Sequence, residues 1–141
     1  MAEQFTLTIS TPEKEFYSGD VESLIITTTE GKMGILPGHE LMVVALDIAP
    51  IRFKVGESPN DSQEEWREAA LSGGFAEIKG SQVLIVADSA EWPEEIEVNR
   101  AMEAKKRAED RLRAHLSEVE YLRSKIALRR ALTRLEVVNS K

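Results

Sequence analysis

Up to and including Pro93 the chain carries all eight of its glycines and all five of its prolines, and from residue 94 to residue 141 it carries neither. Glycine and proline are the two residues least compatible with a helix interior. The C-terminal stretch can therefore sustain long helices, whereas the part before it is punctuated by turns. Charge changes at the same place. Residues 1–93 hold 16 Asp/Glu and 6 Lys/Arg, a net of −10, while residues 94–141 hold 9 and 12, a net of +3. A joint shift of this kind marks two structural units, with the boundary drawn at 1–92 and 93–141.

The first unit reads as all-β. Phe5-Thr6-Leu7-Thr8-Ile9 alternates apolar and polar residues, the period of a half-buried strand. Val21–Thr29 is rich in β-branched residues and is closed by Glu30-Gly31. Five further short runs follow: Leu41–Leu46, Ile51–Val55, Trp66–Leu71, Phe75–Ile78 and Val83–Ala87. Gly, Pro, Asn, Asp or Ser bounds each run, the pattern of a sandwich or barrel. Gly56–Ser62 is expected to be a hairpin tip, and Gly73-Gly74 a bulge or tight turn between strands.

The second unit reads as an antiparallel helical hairpin. Pro93 followed by Glu94, Glu95 and Glu97 resembles a helix start. Ala101, Ala104, Ala108, Leu112 and Leu116 form one apolar stripe, and Val119, Leu122, Ile126, Leu128, Ala131, Leu135 and Val138 form a second. The turn is expected near Ser117, which with Glu120 also fits a capping box for the second helix. A hairpin this thin buries little by itself and needs something to lean on.

Catalytic chemistry finds few candidates. There is no cysteine, hence no disulfide, thiolate zinc site or cysteine nucleophile. His39 and His115 lie far apart and outside any HExxH pattern, and neither a nucleophile elbow nor a phosphate-binding Walker loop is present. No apolar run approaches the roughly 20 residues needed to span a bilayer, and Met1-Ala2-Glu3-Gln4 does not open like a secretory signal. A net charge of −7 disfavours general nucleic-acid affinity. The conspicuous feature is arginine at helical spacing: Arg100, Arg107 and Arg111 on one helix, and Arg123, Arg130 and Arg134 on the other. Such stripes are either solvated faces paired with glutamates or, facing each other, a clamp for an anion.

Four segments then suggest a family. Glu30-Gly31-Lys32-Met33-Gly34-Ile35-Leu36-Pro37-Gly38-His39 resembles the E-G-x-x-G-I-L-P-G-H loop of the epsilon subunits of F-type ATP synthases. Ser72-Gly73-Gly74-Phe75-Ala76-Glu77 is similar to their S-G-G-F-x-E segment. Ile96-Glu97-Val98-Asn99-Arg100-Ala101 resembles I-D-x-x-R-A, with Glu97 in the aspartate position, and Arg130-Ala131-Leu132-Thr133-Arg134-Leu135 resembles R-A-x-x-R-L. The segments occur in family order over almost the whole chain.

The resemblance implies a β-sandwich followed by a two-helix hairpin, and a non-catalytic subunit of the rotary central stalk. Gamma, the c-ring and the alpha/beta catalytic head are the implied partners, on the cytoplasmic face of the bacterial plasma membrane. It implies that the sandwich couples c-ring rotation to the head through gamma and that the mobile hairpin inhibits ATP hydrolysis. Glu30, Lys32, Gly38 and His39 are the implied c-ring-facing loop, and Arg123 and Arg129 the implied contacts to the head. No cofactor is required. ATP is the implied regulatory ligand, at Glu91, Ile96, Glu97, Arg100, Ala101, Arg130 and Arg134. The alternatives are a free-standing adaptor and a nucleotide-sensing module.

Overall fold

The computed structural model describes residues 3–56 and 65–139; the tip expected at Gly56–Ser62 falls, beyond Gly56, outside them. Among the described residues seven strands are formed: β1 (Phe5–Ser10), β2 (Glu15–Thr28), β3 (Gly31–Ile35), β4 (His39–Val55), β5 (Glu65–Gly80), β6 (Gln82–Ala87) and β7 (Ala90–Glu91). They are ordered β1-β6-β5-β4-β2-β3, with β7 on β5. β1 pairs with β6 in parallel, Thr6 opposite Gln82, and with β2 in antiparallel, Phe5 opposite Val21. The sheet thus closes on itself into a sandwich with a barrel-like seam.

Alternation along the strands builds the core. Phe5, Leu7 and Ile9 of β1 point inward together with Val83 and Ile85 of β6, Val21, Leu24 and Ile26 of β2, and Ile51 and Phe53 of β4. This core is drawn entirely from residues between Phe5 and Ala87. At its edge Trp92 stacks on Phe16 with ring centroids 4.3 Å apart, and the Arg67 guanidinium lies 4.3 Å from the Trp92 ring centroid.

Several expectations are corrected. Leu41–Leu46 and Ile51–Val55 belong to one strand, β4, and Trp66–Leu71 and Phe75–Ile78 to another, β5. The residues taken as breaks are absorbed as irregularities. Opposite Ile26 and Thr27 of β2, β4 carries the longer stretch 47–51 as a bulge, while its pairing with β5 continues from Leu46–Gly74 to Ile48–Ser72. Gly73 and Gly74 sit at φ +96° and +132° within β5. A Cβ on Gly74 would meet the Val86 carbonyl oxygen at 2.0 Å, so the diglycine serves the close approach of β6. The motif loop is largely a strand: Gly31–Ile35 pairs with Leu24–Thr28, and His39 opens β4 opposite Gly80.

Pro93–Glu95 is a single 3₁₀ turn, and α1 (Val98–Ala114) begins after it with Glu97 as its cap. The helix start expected at Pro93 is thus displaced, because a carboxylate two residues before Asn99 satisfies the first amides. α1 ends at His115 in the left-handed region, φ +43°. α2 (Glu118–Asn139) follows, with Ser117 Oγ accepting from the Glu120 amide at 3.1 Å.

The alanine stripe of α1 turns inward at Ala101 and Ala108, while Leu116 lies beyond the helix and is 80% exposed. The stripe read for α2 holds only in its C-terminal half, where Ala131 is buried and Leu135 and Val138 pack on the seam. Val119, Leu122 and Ile126 are exposed, and Ser124, Ala131, Thr133 and Val137 are buried. Small residues are selected there because α1 and the sandwich press on that face. Ser124 satisfies its hydroxyl on the Glu120 carbonyl, at 2.8 Å.

The hairpin meets the sandwich along a thin seam. Its apolar part is a separate cluster of Ala70, Ile96, Ala101 and Val137, flanked by Leu135 and Val138. Two ion pairs flank it, Arg134 with Glu91 and Arg129 with Asp47.

Candidate functional site

Where the connection between the units meets the two helices, a cleft of about 470 Å³ opens. β7 and the 3₁₀ turn contribute Glu91 and Glu95, the first turns of α1 contribute Arg100, Ala101, Glu103, Ala104 and Arg107, and α2 contributes Arg134. Ile96 and Glu97 lie between the turn and α1. Local sequence sets this geometry. The Glu95 carboxylate accepts from the Trp92 amide at 2.9 Å, closing the turn after Pro93. Glu97 accepts from the amides of Asn99 at 3.2 Å and Arg100 at 2.9 Å, satisfying two of the free donors at the start of α1. Successive spacings of three then place Ala101, Ala104 and Arg107 on the side of α1 that lines the cleft.

Four glutamates and three arginines line the cleft, and they are not all paired with one another. Arg134 Nε donates to Glu91 Oε1 at 2.6 Å, and Glu95 and Glu97 are engaged by backbone amides. Among the described residues no ion pair within 4.0 Å involves Arg100 or Arg107. The cleft therefore presents two guanidiniums without carboxylate partners, beside a third that reaches in from the other helix. Arginine forks suit phosphate oxygens, and the glutamates beside them are acceptors for amino or hydroxyl groups. Among the described residues no group of three or more His, Asp or Glu is arranged to hold a metal.

Of the seven residues expected at a nucleotide, Glu91, Ile96, Glu97, Arg100, Ala101 and Arg134 line this cleft. Arg130 lines an adjoining recess instead, with Ser72, Ser89, Glu91, Thr133 and Arg134. Four lining residues were outside that set. Arg107 was visible only as part of the arginine stripe, while Glu95, Glu103 and Ala104 gave no signal distinguishing them from ordinary helix residues.

The other expected contacts lie elsewhere. Glu30 sits in the β2–β3 turn, where its amide donates to Thr28 Oγ1 at 3.1 Å. Lys32 is exposed on β3, Gly38 takes φ +82° before β4, and the His39 ring contacts the Glu40 carbonyl at 3.0 Å. Arg123 is paired with Glu120 at 3.3 Å and Arg129 with Asp47 at 2.5 Å.

The outer face of the sandwich carries a feature the strand pattern alone did not single out. Leu41 and Val43 of β4, Phe75 of β5 and Leu84 of β6 are 73%, 66%, 43% and 38% exposed. Register sets Val43 and Leu84 on either side of Glu77 in one row, with Ala45, Phe75 and Val86 in the next. The exposed apolar side chains thus form a patch crossed by the charge of Glu77, of the kind found at interaction surfaces.

Both halves of the chain match known families. Residues 4–93 match the ATP synthase delta/epsilon chain β-sandwich domain, and residues 94–139 the long α-helix domain of the same chains. An ATP synthase epsilon chain from Ruminiclostridium cellulolyticum is 44% identical over 135 residues, covering 96% of each chain. One from Alkaliphilus oremlandii is 49% identical over 118 residues, covering 84% of this chain and 83% of its own. Among solved structures, a chain of the Euglena gracilis mitochondrial ATP synthase, determined with OSCP, F1 and the c-ring, superposes with a TM-score of 0.78 at 25% identity. That match covers 97% of this chain and 80% of the other. A chain of the Tetrahymena thermophila central stalk and c-ring shares the fold at a TM-score of 0.62 and 15% identity, covering 97% of this chain and 98% of that one.

Proposed function

The chain belongs to the ATP synthase delta/epsilon family, as a non-catalytic, epsilon-type part of the central stalk, and on that premise we propose a coupling and braking role. The sandwich binds gamma and the c-ring at the cytoplasmic face of the bacterial plasma membrane, and the hairpin restrains ATP hydrolysis when it leaves the sandwich. One observation carries this reading: the sandwich core is complete without the hairpin, whose apolar docking is the separate cluster of Ala70, Ile96, Ala101 and Val137. A domain docked by so small a cluster can detach without opening the core beneath it. The exposed side chains of Val43, Phe75 and Leu84 suit gamma, since a permanent partner covers apolar surface better than water does. The turn at Glu30, with Lys32, Gly38 and His39, faces the c-ring.

The cleft at Arg100, Arg107 and Arg134 is the nucleotide site of the folded hairpin. ATP there favours the folded form by its extra affinity for that form over the extended one. Glu97, held by two amides, acts on the ligand by fixing the start of α1 and thus Arg100.

The test is the assembled complex lacking residues 94–141. Intact assembly with faster ATP hydrolysis is expected, and unchanged hydrolysis would refute the brake. Calorimetric titration of the isolated subunit with ATP tests the cleft. Heat that disappears in Arg100→Ala and Arg134→Ala is expected, and no heat at millimolar ATP in the unaltered protein would remove the nucleotide from the scheme.

A further inference from the structure

From the bulge of β4 and its contacts with α2, we propose that residues 47–51 form a docking ledge for the hairpin, on which the Asp47–Arg129 pair is a latch that works without nucleotide. The proposal rests on the reading that the hairpin detaches. The ledge lies away from the cleft. At the bulge, β4 spends residues 47–51 opposite only Ile26 and Thr27 of β2, and bulges of this kind re-aim side chains out of the regular pleat. What they aim at is α2. Ile48, Ala49 and Pro50 face Arg129, Leu132, Thr133 and Glu136 across a shallow hollow of about 180 Å³. The Ile48 carbonyl accepts from Thr133 Oγ1 at 3.4 Å.

Asp47 is held ready for its partner. Its Oδ1 accepts from the Ile48 amide at 2.9 Å, which fixes the carboxylate, and its Oδ2 takes Arg129 Nη2 at 2.5 Å. The Asp47 side chain is 26% exposed and that of Arg129 50%. Such a half-screened pair shifts an equilibrium by a fewfold rather than by orders of magnitude. Arg129 is thereby occupied in the folded form and becomes free only when α2 lifts. A contact of Arg129 to the catalytic head and its contact to Asp47 are mutually exclusive, so the same guanidinium serves both ends of the movement.

The chain has no cysteine, which permits a direct test on the full-length isolated subunit without nucleotide. Ala70→Cys places one thiol under the seam, where Ala70 is 5% exposed. Its modification rate then reports how often the hairpin lifts. Asp47→Asn and Arg129→Gln are each expected to speed labelling about threefold to fivefold. The exchanged pair, Asp47→Arg with Arg129→Asp, is expected to return most of that gain. In the unaltered ledge, raising salt accelerates labelling, and Asp47→Asn blunts that response.

Labelling faster than global unfolding but equal in all variants would overturn the latch and leave the detaching hairpin standing. Labelling no faster than global unfolding in every variant would overturn both. If a variant loses its circular dichroism signal, the salt response of the Ala70→Cys protein decides: no acceleration with salt refutes an ionic latch.

Discussion

Val137→Ala separates the two units energetically. Val137 is fully buried in the seam, against Ala70 of β5, Ile96 of the connection and Ala101 of α1. The substitution removes two carbons at about 0.8 kcal/mol each, and the space left between rigid elements raises the cost to about 2 kcal/mol. That shifts the hairpin's equilibrium about 30-fold toward its undocked form, since 1.36 kcal/mol is tenfold. The sandwich core contains none of the atoms removed, so its stability is expected to change by less than about 0.5 kcal/mol. Urea unfolding read by two probes distinguishes the outcomes. Ellipticity at the helix band follows the hairpin, which holds both α-helices. Indole fluorescence follows Trp66 on β5 and Trp92, the latter stacked on Phe16. The expected result is a lower midpoint for the helix signal with the fluorescence midpoint unmoved. Coincident displacement of both curves would show one cooperative unit, and the separable hairpin would be wrong.

Gly74→Ala is expected to cost the sandwich more than about 2 kcal/mol, because φ +132° and a Cβ 2.0 Å from the Val86 oxygen cannot both be relieved; a denaturant midpoint within error of the parent would refute this. Ser117→Ala removes the cap on the Glu120 amide and should lower hairpin stability by about 1 kcal/mol, seen as reduced helicity with the fluorescence transition unaffected. Phe75→Asp replaces the exposed ring beside Glu77 with a second charge without touching the buried face, and should abolish capture by gamma while thermal unfolding stays within a few degrees. Retained capture would place gamma elsewhere.

What the sequence made legible follows from periodicity. Phe5–Ile9 alternates cleanly because one face of β1 is core and the other is not, whereas Val83–Ala87 is apolar throughout and was legible only as a short run bounded by turn residues. The glycine- and proline-free stretch became two helices because nothing in it interrupts a backbone ladder. Asp47 and Pro50 looked like a gap between two strands, since local chemistry cannot tell a loop from a bulge whose far side is still paired to β5. α2 was misread for a related reason. Its leucines and isoleucines set the expected stripe, but the inward face touches alanines and a sandwich edge. Ser124, Ala131, Thr133 and Val137 fill that face, with Leu135 and Val138 of the expected stripe packed at its rim. The arginines of the cleft were visible by spacing, and six of the seven expected nucleotide residues share it. Arg130 looks into the neighbouring recess because the turn of α2 directs it past Thr133 toward Ser72 and Ser89.

β1, the first strand of the sandwich in chain order, is also the one that closes it. β1 lies between β2, which follows it at once, and β6, whose Gln82–Val86 stretch pairs with Thr6–Ser10. On the ribosome the first hairpin can form early, but β1 waits with one edge open until nearly the whole domain has been synthesised. Losing a few residues from the front would therefore unseal the entire barrel, whereas cutting the chain behind Trp92 leaves a closed object. The hairpin emerges after the domain has shut, and joins it as an attachment that translation, proteolysis or evolution can shorten without undoing what came before.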